Sequence, residues 1–230
     1  MPAARTDDAL ARRRARARRI AGLYAVTPDL ADTAELTARV AAALAGGAAA
    51  NQYRNKIADA TLRHAQAHAL ARLHALRGGL LIVNDDAALA AEIDADGVHV
   101  GEDDASIAAA REIVGPDRLV GASCYNDLGR ARAAVAAGAD YIAFGSFFPS
   151  PVKPNARRAE LELLASARTL DVPVVAIGGI TADNASSLVG AGADAVAVIT
   201  AVFEAPDVEV AARAIAARFP SSAGSVASVH

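Results

Sequence analysis

One complete strand–helix–strand unit is contained in residues 174–199, which read VVAIGGITADNASSLVGAGADAVAVI. Two apolar runs, 174–177 and 195–199, flank a segment with a helical pattern at 182–190. The runs are almost continuously apolar, which is typical of parallel strands that are covered on both faces. This stretch therefore predicts a β–α–β unit of an α/β fold.

The same unit recurs along most of the chain, and the Gly-Ala-Asp triplets at 138–140 and 192–194 stand before two of its strands. Eight strand–helix units predict a closed (β/α)8 TIM barrel in a single domain, with a doubly wound open sheet as the alternative. The predicted strands are 23–26, 48–53, 80–83, 97–100, 119–122, 141–144, 174–177 and 195–199. The predicted helices are 33–44, 58–76, 87–93, 107–114, 127–137, 158–169, 182–190 and 208–219.

Composition excludes several classes of protein. The chain has 230 residues, of which 53% are hydrophobic and 21% charged, so it can bury a large core and is not disordered. A net charge of -3 argues against a nucleic-acid partner, and one cysteine excludes an internal disulfide and a Cys-rich zinc site. No apolar run is long enough to span a membrane. We therefore expect a cytoplasmic protein whose partners are small molecules, and the sequence leaves its oligomeric state open.

The two ends of the chain differ from the predicted barrel at 20–220. Residues 1–19 hold seven arginines and predict a solvated extension or a leading helix, with a targeting or anion-binding role as the alternative. Residues 221–230 are rich in Ser and Ala and predict a frayed tail.

A barrel of this kind carries its active site at the carboxyl ends of its strands, so the polar residues there are the informative ones. They include cations, carboxylates, hydroxyls and glycine turns, which together suit a phosphorylated substrate and a hard metal ion. The segments are Thr27-Pro28, 52–56, 84–86, 101–104, Ser123-Cys124, 145–154, 178–181 and Ile199-Thr200.

Lysine is used at only two positions, Lys56 and Lys153, and both follow predicted strands. The other 21 of the 23 basic residues are arginines, so each lysine suggests a place for a compact point charge. Chance placement on loops is the alternative.

Two glycines, Gly178-Gly179, follow the seventh predicted strand. The loops after strands seven and eight of such barrels often bind phosphate through backbone amides, and glycine lets the backbone approach an anion closely. Thr200, after strand eight, could add a hydroxyl. An ordinary strand-to-helix turn is the alternative reading.

Two carboxylates, Asp85 and Asp104, end the adjacent strands three and four. Magnesium is usually held by one or two carboxylates together with substrate phosphate oxygens, so the pair predicts a Mg2+ site. Either residue could instead be a helix N-cap, and the neighbours Asp86 and Asp103 could be the true ligands.

Other reactive side chains have plainer interpretations. His64 and His68 are four residues apart but lack the glutamate of a zinc-protease motif, which favours a solvated helix face. His99, inside a strand, is expected to be a packed, hydrogen-bonded histidine. Cys124 has no activating histidine beside it, so a nucleophilic role is not expected.

Five motifs taken together resemble the thiamine phosphate synthase family. They are Gln52-Tyr53-Arg54-Asn55-Lys56, Val83-Asn84-Asp85-Asp86, Gly97-Val98-His99-Val100-Gly101, the loop 149–154 and Ile177-Gly178-Gly179-Ile180. The resemblance extends from about Leu23 to Phe203 with the motifs in order. It implies a (β/α)8 fold and a transferase that joins hydroxymethylpyrimidine diphosphate to a thiazole phosphate and releases diphosphate.

The resemblance also implies roles for individual residues. Asp85 and Asp104 would hold Mg2+, while Arg54, Lys56 and Lys153 would be catalytic. The pyrimidine diphosphate would contact Gln52, Arg54, Lys56, Asn84, Ser123 and Lys153, with Tyr53 and Asn55 in the same segment. The thiazole phosphate would contact Ser150, Gly179, Ile199 and Thr200, with Pro151 and Val152 nearby.

This chemistry needs no protein nucleophile, which is consistent with a sequence that shows no Ser-His-Asp or Cys-His arrangement. Loss of diphosphate leaves a positively charged carbon, which the electron-rich pyrimidine can stabilise. The protein therefore needs cations to stabilise the leaving group and residues that place the thiazole nitrogen correctly.

Three residues depart from the family pattern: Val152 lacks a frequent hydroxyl, Ser150 replaces a frequent Thr, and Asn51 is polar where an apolar residue is usual. A buried Asn51 without a partner would cost about 1–3 kcal/mol.

Two other functions remain open from the sequence. The first is a thiazole tautomerase, whose resemblance implies a histidine after strand five, where this chain has Ser123-Cys124-Tyr125. The second is a non-catalytic phosphate-binding barrel, which would not need paired metal carboxylates.

Overall fold

The computed structural model describes residues 3–101, 106–149 and 158–220, and for residues 3–7 the backbone alone. Eight strands pair in chain order, all parallel, and β8 pairs with β1 to close a barrel. The TIM-barrel prediction is confirmed, and the open sheet is excluded. The strands are β1 Gly22–Val26, β2 Ala48–Tyr53, β3 Leu80–Asn84, β4 Gly97–Val100, β5 Leu119–Tyr125, β6 Tyr141–Gly145, β7 Val174–Ile177 and β8 Ala195–Val198.

Helices follow the strands around the outside of the barrel. Those within the described residues are α1 Ala3–Ala17, α2 Thr33–Ala45, α3 Ala60–Arg77, α4 Ala87–Glu92, α5 Ile107–Val114, α6 Leu128–Ala136, α7 Glu162–Ala167, α8 Ala185–Ala191, α9 Thr200–Phe203 and α10 Val208–Ala216. A 3-10 turn, Arg168–Leu170, continues α7.

Two helices begin at least three residues later than the sequence predicts, for local reasons, and one short helix was not predicted. The helix predicted from residue 158 begins at Glu162, because the Ala159 amide donates to the Ser146 carbonyl and draws this segment toward the end of β6. The helix predicted from residue 182 begins at Ala185, after a turn closed by Asn184. The short helix α9 has no counterpart in the prediction.

The core has two apolar layers because successive strand side chains point to opposite faces. In β1, Leu23 and Ala25 pack outward against the helices, whereas Tyr24 and Val26 point into the barrel. A Cβ at Gly121 would lie 2.0 Å from the Tyr141 ring. Glycine on β5 therefore makes room for a tyrosine inside the barrel.

An aspartate immediately precedes each of the strands β4, β6 and β8, and the three aspartates link neighbouring strands at the amino-terminal end of the barrel. The carboxylates of Asp96, Asp140 and Asp194 accept hydrogen bonds from the amides of Leu81, Val120 and Val174, each on the preceding strand, at 2.8–2.9 Å. This explains the repeated Gly-Ala-Asp triplets. Their glycines have positive φ angles and end the helices, and their aspartates tie neighbouring strands together.

The arginines of α1 are engaged at this same end of the barrel. Arg12 pairs with Asp117 at 3.0 Å, Arg13 with Asp140 at 2.6 Å, and Arg16 with Asp96 at 3.6 Å. Ala17 and the following Ile20 are buried in the inner apolar layer. Residues 3–17 therefore form a helix, and its Arg12, Arg13 and Arg16 bind the barrel end opposite the predicted active site.

None of the helices within the described parts of the chain is both long and apolar enough to cross a membrane.

Candidate active site

A cavity of about 630 Å3 opens at the carboxyl ends of β2 and β3. It collects cations and carboxylates from separate segments of the chain, from Arg54 to Asp86, because parallel strands end at one rim. Its lining residues are Tyr53, Arg54, Asn55, Lys56, Arg63, Val83, Asn84, Asp85, Asp86, Ala87, Ala88, Leu89 and Ile113.

The segment with Arg54 and Lys56 is held by the loop after β1. The Thr27 hydroxyl is fully buried; it accepts from the Arg54 amide at 2.8 Å and donates to the Arg54 carbonyl at 2.7 Å. The Asp29 carboxylate accepts from the Lys56 amide at 2.8 Å and from the Arg54 guanidinium at 3.3 Å. These contacts present both cationic side chains to the cavity.

Tyr53 and Asn55 belong to the same segment but are largely buried. The Tyr53 hydroxyl donates to Gln66 Oε1 at 2.9 Å, and burial raises its pKa to about 12. The Asn55 amide donates to the Leu30 carbonyl at 2.6 Å and to Gln66 Oε1 at 2.9 Å. Since these polar atoms already have protein partners, the two side chains position the loop beneath Arg54 and Lys56.

A chain of polar side chains crosses from β2 to the end of β3. The Gln52 amide donates to Asn84 Oδ1 at 2.9 Å, and the Asn84 amide donates to the Asp85 carboxylate. The Asp85 amide donates to the His99 carbonyl at 2.8 Å, and its φ of 64° turns the chain sharply after β3. Asp85 is thus placed at the cavity wall next to two amide side chains.

Asp86 has a different task from Asp85. Its carboxylate accepts from the Leu89 amide at 2.9 Å and so caps the amino terminus of α4. The sequence left a helix-capping role open for Asp85, but it is Asp86, the alternative ligand, that caps α4. This favours Asp85 as the metal ligand.

Ser123, on β5, is linked to a hydrogen-bonded network inside the barrel. Its hydroxyl lies 2.9 Å from His99 Nε2, and His99 Nδ1 lies 3.1 Å from the Tyr141 hydroxyl. The Tyr141 hydroxyl lies 2.9 Å from that of Tyr24. Burial raises the pKa of both tyrosines, so both phenols stay protonated. His99 is the packed, hydrogen-bonded histidine that the sequence predicted, and it orients Ser123.

The loops after β7 and β8 form the opposite part of the rim. Gly178 and Gly179 have φ angles of 108° and 65°. A Cβ at Gly178 would lie 2.0 Å from Ser146 Oγ, and one at Gly179 would lie 2.2 Å from the Pro149 carbonyl oxygen. Only glycine fits at these two positions. Ile199 and Thr200 begin α9 at the end of the neighbouring strand β8.

Cys124 is buried, and burial raises the pKa of its thiol to about 12. The thiol is therefore protonated at neutral pH, in line with the sequence interpretation.

Asn51, polar where an apolar residue is usual, is fully buried. Its side-chain amide donates to the Ala25 carbonyl at 3.0 Å, while its Oδ1 has no protein partner.

Several predicted site residues lie outside the described residues: Asp104, Ser150, Pro151, Val152 and Lys153. Six of the others line the cavity, namely Tyr53, Arg54, Asn55, Lys56, Asn84 and Asp85. The remaining described ones are not part of its lining, namely Gln52, Ser123, Gly179, Ile199 and Thr200. Sequence reasoning missed Asp29, which organises the cationic segment, and Arg63, which lines the cavity from the first turn of α3. Asp59 caps α3, and the position of Arg63 just past that cap was the signal that could have found it.

The closed barrel and the cationic, carboxylate-containing cavity at its rim define an enzyme of the (β/α)8 class that is suited to a phosphorylated substrate. The sequence profile described as "Thiamine monophosphate synthase" matches residues 23–202. The chain therefore belongs to the thiamine monophosphate synthase family.

Individual relatives agree with this assignment. The chain is 60% identical to the thiamine-phosphate synthase of Thiobacillus denitrificans over 192 residues, covering 83% of this chain and 91% of the relative. It is 57% identical to that of Methylobacillus flagellatus over 194 residues, covering 84% and 93%. A solved thiamine phosphate pyrophosphorylase from Pyrococcus furiosus superposes with a TM-score of 0.78 at 37% identity, covering 87% of this chain and 96% of that one. The chain is accordingly a transferase of thiamine biosynthesis with thiamine-phosphate synthase activity.

Proposed function

We propose that the rim cavity binds hydroxymethylpyrimidine diphosphate and couples it to a thiazole phosphate, or its carboxylated form, held by the loops after β7 and β8. The observation that carries the proposal is the meeting of Arg54, Lys56, Arg63 and Asp85 in one cavity of about 630 Å3. Three cations beside a carboxylate suit a diphosphate that arrives with a divalent metal ion.

The donor set at the end of β3 fits Mg2+. Asp85, directly after β3, offers a hard carboxylate oxygen, and its proposal as the ligand in preference to Asp86 is supported by the helix-capping contact of Asp86. Asp104 is proposed as the second ligand. When bound, Mg2+ would neutralise the diphosphate and help it to leave. Gln52 and Asn84 hold the Asp85 carboxylate in place through the hydrogen-bonded chain described above.

In the reaction, the bond between the pyrimidine methylene carbon and the diphosphate oxygen breaks, and its electron pair leaves with diphosphate. Arg54, Lys56 and Lys153 stabilise the negative charge that develops there. The thiazole nitrogen then donates its lone pair to the positive carbon and forms the new carbon–nitrogen bond. The protonated Cys124 takes no part, because this route needs no protein nucleophile.

The remaining residues orient the two substrates. Ser123, oriented by His99, is proposed to hydrogen-bond the pyrimidine, together with Gln52 and Asn84. Gly179, Ile199 and Thr200, with Ser150 and Val152, are proposed to hold the thiazole phosphate through backbone amides and hydroxyls. Tyr53 and Asn55 act by positioning Arg54 and Lys56, and Pro151 shapes the loop between Ser150 and Lys153. The cytoplasmic location and the absence of a macromolecular partner stay predictions.

One assay tests the proposal. Purified protein is mixed with both substrates and Mg2+, and diphosphate and thiamine phosphate are followed together. Equal formation of the two products supports the coupling reaction. No product at any magnesium concentration would contradict it, and tautomerisation of the thiazole alone would favour the isomerase alternative.

We expect Lys153→Ala to lower kcat by roughly 10- to 100-fold, the effect of losing one charge-assisted hydrogen bond to the leaving group. The KM for the thiazole phosphate should change little. Steady-state kinetics with each substrate varied in turn checks this, with exposed Arg72→Ala as the control. A variant with unchanged turnover would remove Lys153 from the mechanism.

We expect Arg63→Ala to lower kcat/KM for the pyrimidine diphosphate by about 10-fold, because the cavity loses one of its cations. The loss should shrink as salt is added, since Arg63 is partly exposed. Kinetics at low and high ionic strength, again compared with Arg72→Ala, measure both effects. Equal kcat/KM in the two variants would exclude a role for Arg63 in diphosphate binding.

A further inference from the structure

Two histidines and a glutamate converge on the outer surface of the barrel, and none of the three lines the rim cavity. His64 and His68 are one turn apart on α3, and Glu92 is the last residue of α4. His64 Nδ1 and His68 Nε2 each lie 3.1 Å from the same oxygen, Glu92 Oε1. About half of each side chain is exposed, at 48%, 47% and 45%.

We propose that His64, His68 and Glu92 form a binding site for Zn2+ or a similar transition-metal ion that bridges α3 and α4. The candidate ligand atoms all lie within 4.8 Å of one another. Two ligands at about 2.0–2.1 Å from a tetrahedral zinc ion are roughly 3.3 Å apart, close to the 3.1 Å between each imidazole nitrogen and the carboxylate oxygen. Only small side-chain movements are needed to admit an ion.

The donor types decide which metal ions the site would take. Two imidazoles and one carboxylate favour Zn2+, Ni2+, Co2+ or Cu2+, whereas Mg2+ prefers oxygen ligands alone. On binding, the ion would take the position on each ring nitrogen that now faces Glu92, and any hydrogen there would move to the other ring nitrogen or be released to solvent. Three protein ligands leave a fourth position for water.

The position of the site indicates what the ion would do. His64 directly follows Arg63 along α3, and Glu92 lies one turn beyond Ala88 on α4; both Arg63 and Ala88 line the rim cavity. An ion here would fasten together the two helices that follow the segments carrying Lys56 and Asp85. The site is separate from the proposed magnesium site, and its existence does not depend on the proposed mechanism.

The binding test uses the full chain, freed of metal by a chelator and then titrated with Zn2+ in a calorimeter. We expect one saturable site per chain. At a free zinc concentration 100 times Kd, the melting temperature should rise by roughly 5–11 °C. Co2+ should give the visible absorption of a tetrahedral site, and millimolar Mg2+ should not displace either ion. No saturable binding, or binding that Mg2+ abolishes, would overturn the proposal.

Substitutions assign the ligands. His68→Gln and Glu92→Gln should each weaken zinc binding by at least about 10-fold and, at the same zinc concentration, remove about half of the thermal shift or more. Glu112→Gln, which changes an exposed glutamate on α5, and His230→Ala, which removes a histidine outside the described residues, should bind as the unchanged chain does. Circular dichroism of the metal-free variants checks that they are folded. Unaltered affinity in both His68→Gln and Glu92→Gln would place the ion elsewhere and refute the site.

Discussion

Replacing Asp85 by asparagine is expected to lower kcat by roughly 100- to 1,000-fold while the barrel stays folded. The substitution keeps the shape of the side chain and can still hydrogen-bond Asn84, but it removes the negative charge that we propose for Mg2+. Activity should recover only partly at high magnesium concentrations. Initial rates over a magnesium titration measure this effect, and circular dichroism confirms the fold.

The neighbouring Asp86 provides the matched control, because both aspartates lie beside the cavity and only Asp86 caps a helix. Asp86→Asn should cost about 1 kcal/mol of stability or less, since asparagine is itself a good N-cap, and should change kcat far less than Asp85→Asn does. The opposite result, with Asp86→Asn inactive and Asp85→Asn active, would transfer the metal ligand to Asp86.

Replacing Asp140 by alanine is expected to have the largest effect on stability, lowering the free energy of unfolding by about 3–5 kcal/mol. The side chain of Asp140 is only 6% exposed, and it binds Arg13, Arg111 and the Val120 amide together. Its removal leaves two mostly buried guanidinium groups without their carboxylate at the amino-terminal end of the barrel. Denaturation in urea measures the loss, and the melting temperature should fall by roughly 6–20 °C.

Asp117→Ala serves as the control for this prediction. Asp117 pairs with an arginine of the same helix, Arg12, but its side chain is 52% exposed. Exposed ion pairs contribute about 1 kcal/mol or less, so this variant should remain nearly as stable as the original chain. Similar losses in Asp117→Ala and Asp140→Ala would show that burial of the Asp140 ion pairs is not what stabilises the barrel.

Strands were predicted more accurately than helix starts. The near-continuous apolar runs placed each of the eight strands to within a few residues, since buried parallel strands must be apolar on both faces. The predicted starts of α7 and α8 were too early. Before α7, the Ala159 amide binds the carbonyl of Ser146, which is distant in sequence, and before α8 the Asn184 side chain binds the Thr181 amide within a single turn. Such contacts leave no periodic pattern for a sequence to show.

The sequence by itself determined the barrel, the end of the barrel that carries the site, and the cationic and acidic residues at its rim. It could do so because strand order and strand direction place every carboxyl end on one side. Only the tertiary structure decided that Asp86 caps a helix, that Arg63 reaches the cavity, and that the α1 arginines bind the opposite end. Likewise, the sequence predicted a solvated helix face for His64 and His68, which are exposed, but it could not show that Glu92 approaches them from another helix. Those outcomes depend on distances between side chains from separate elements, and these distances are set when the helices pack around the barrel.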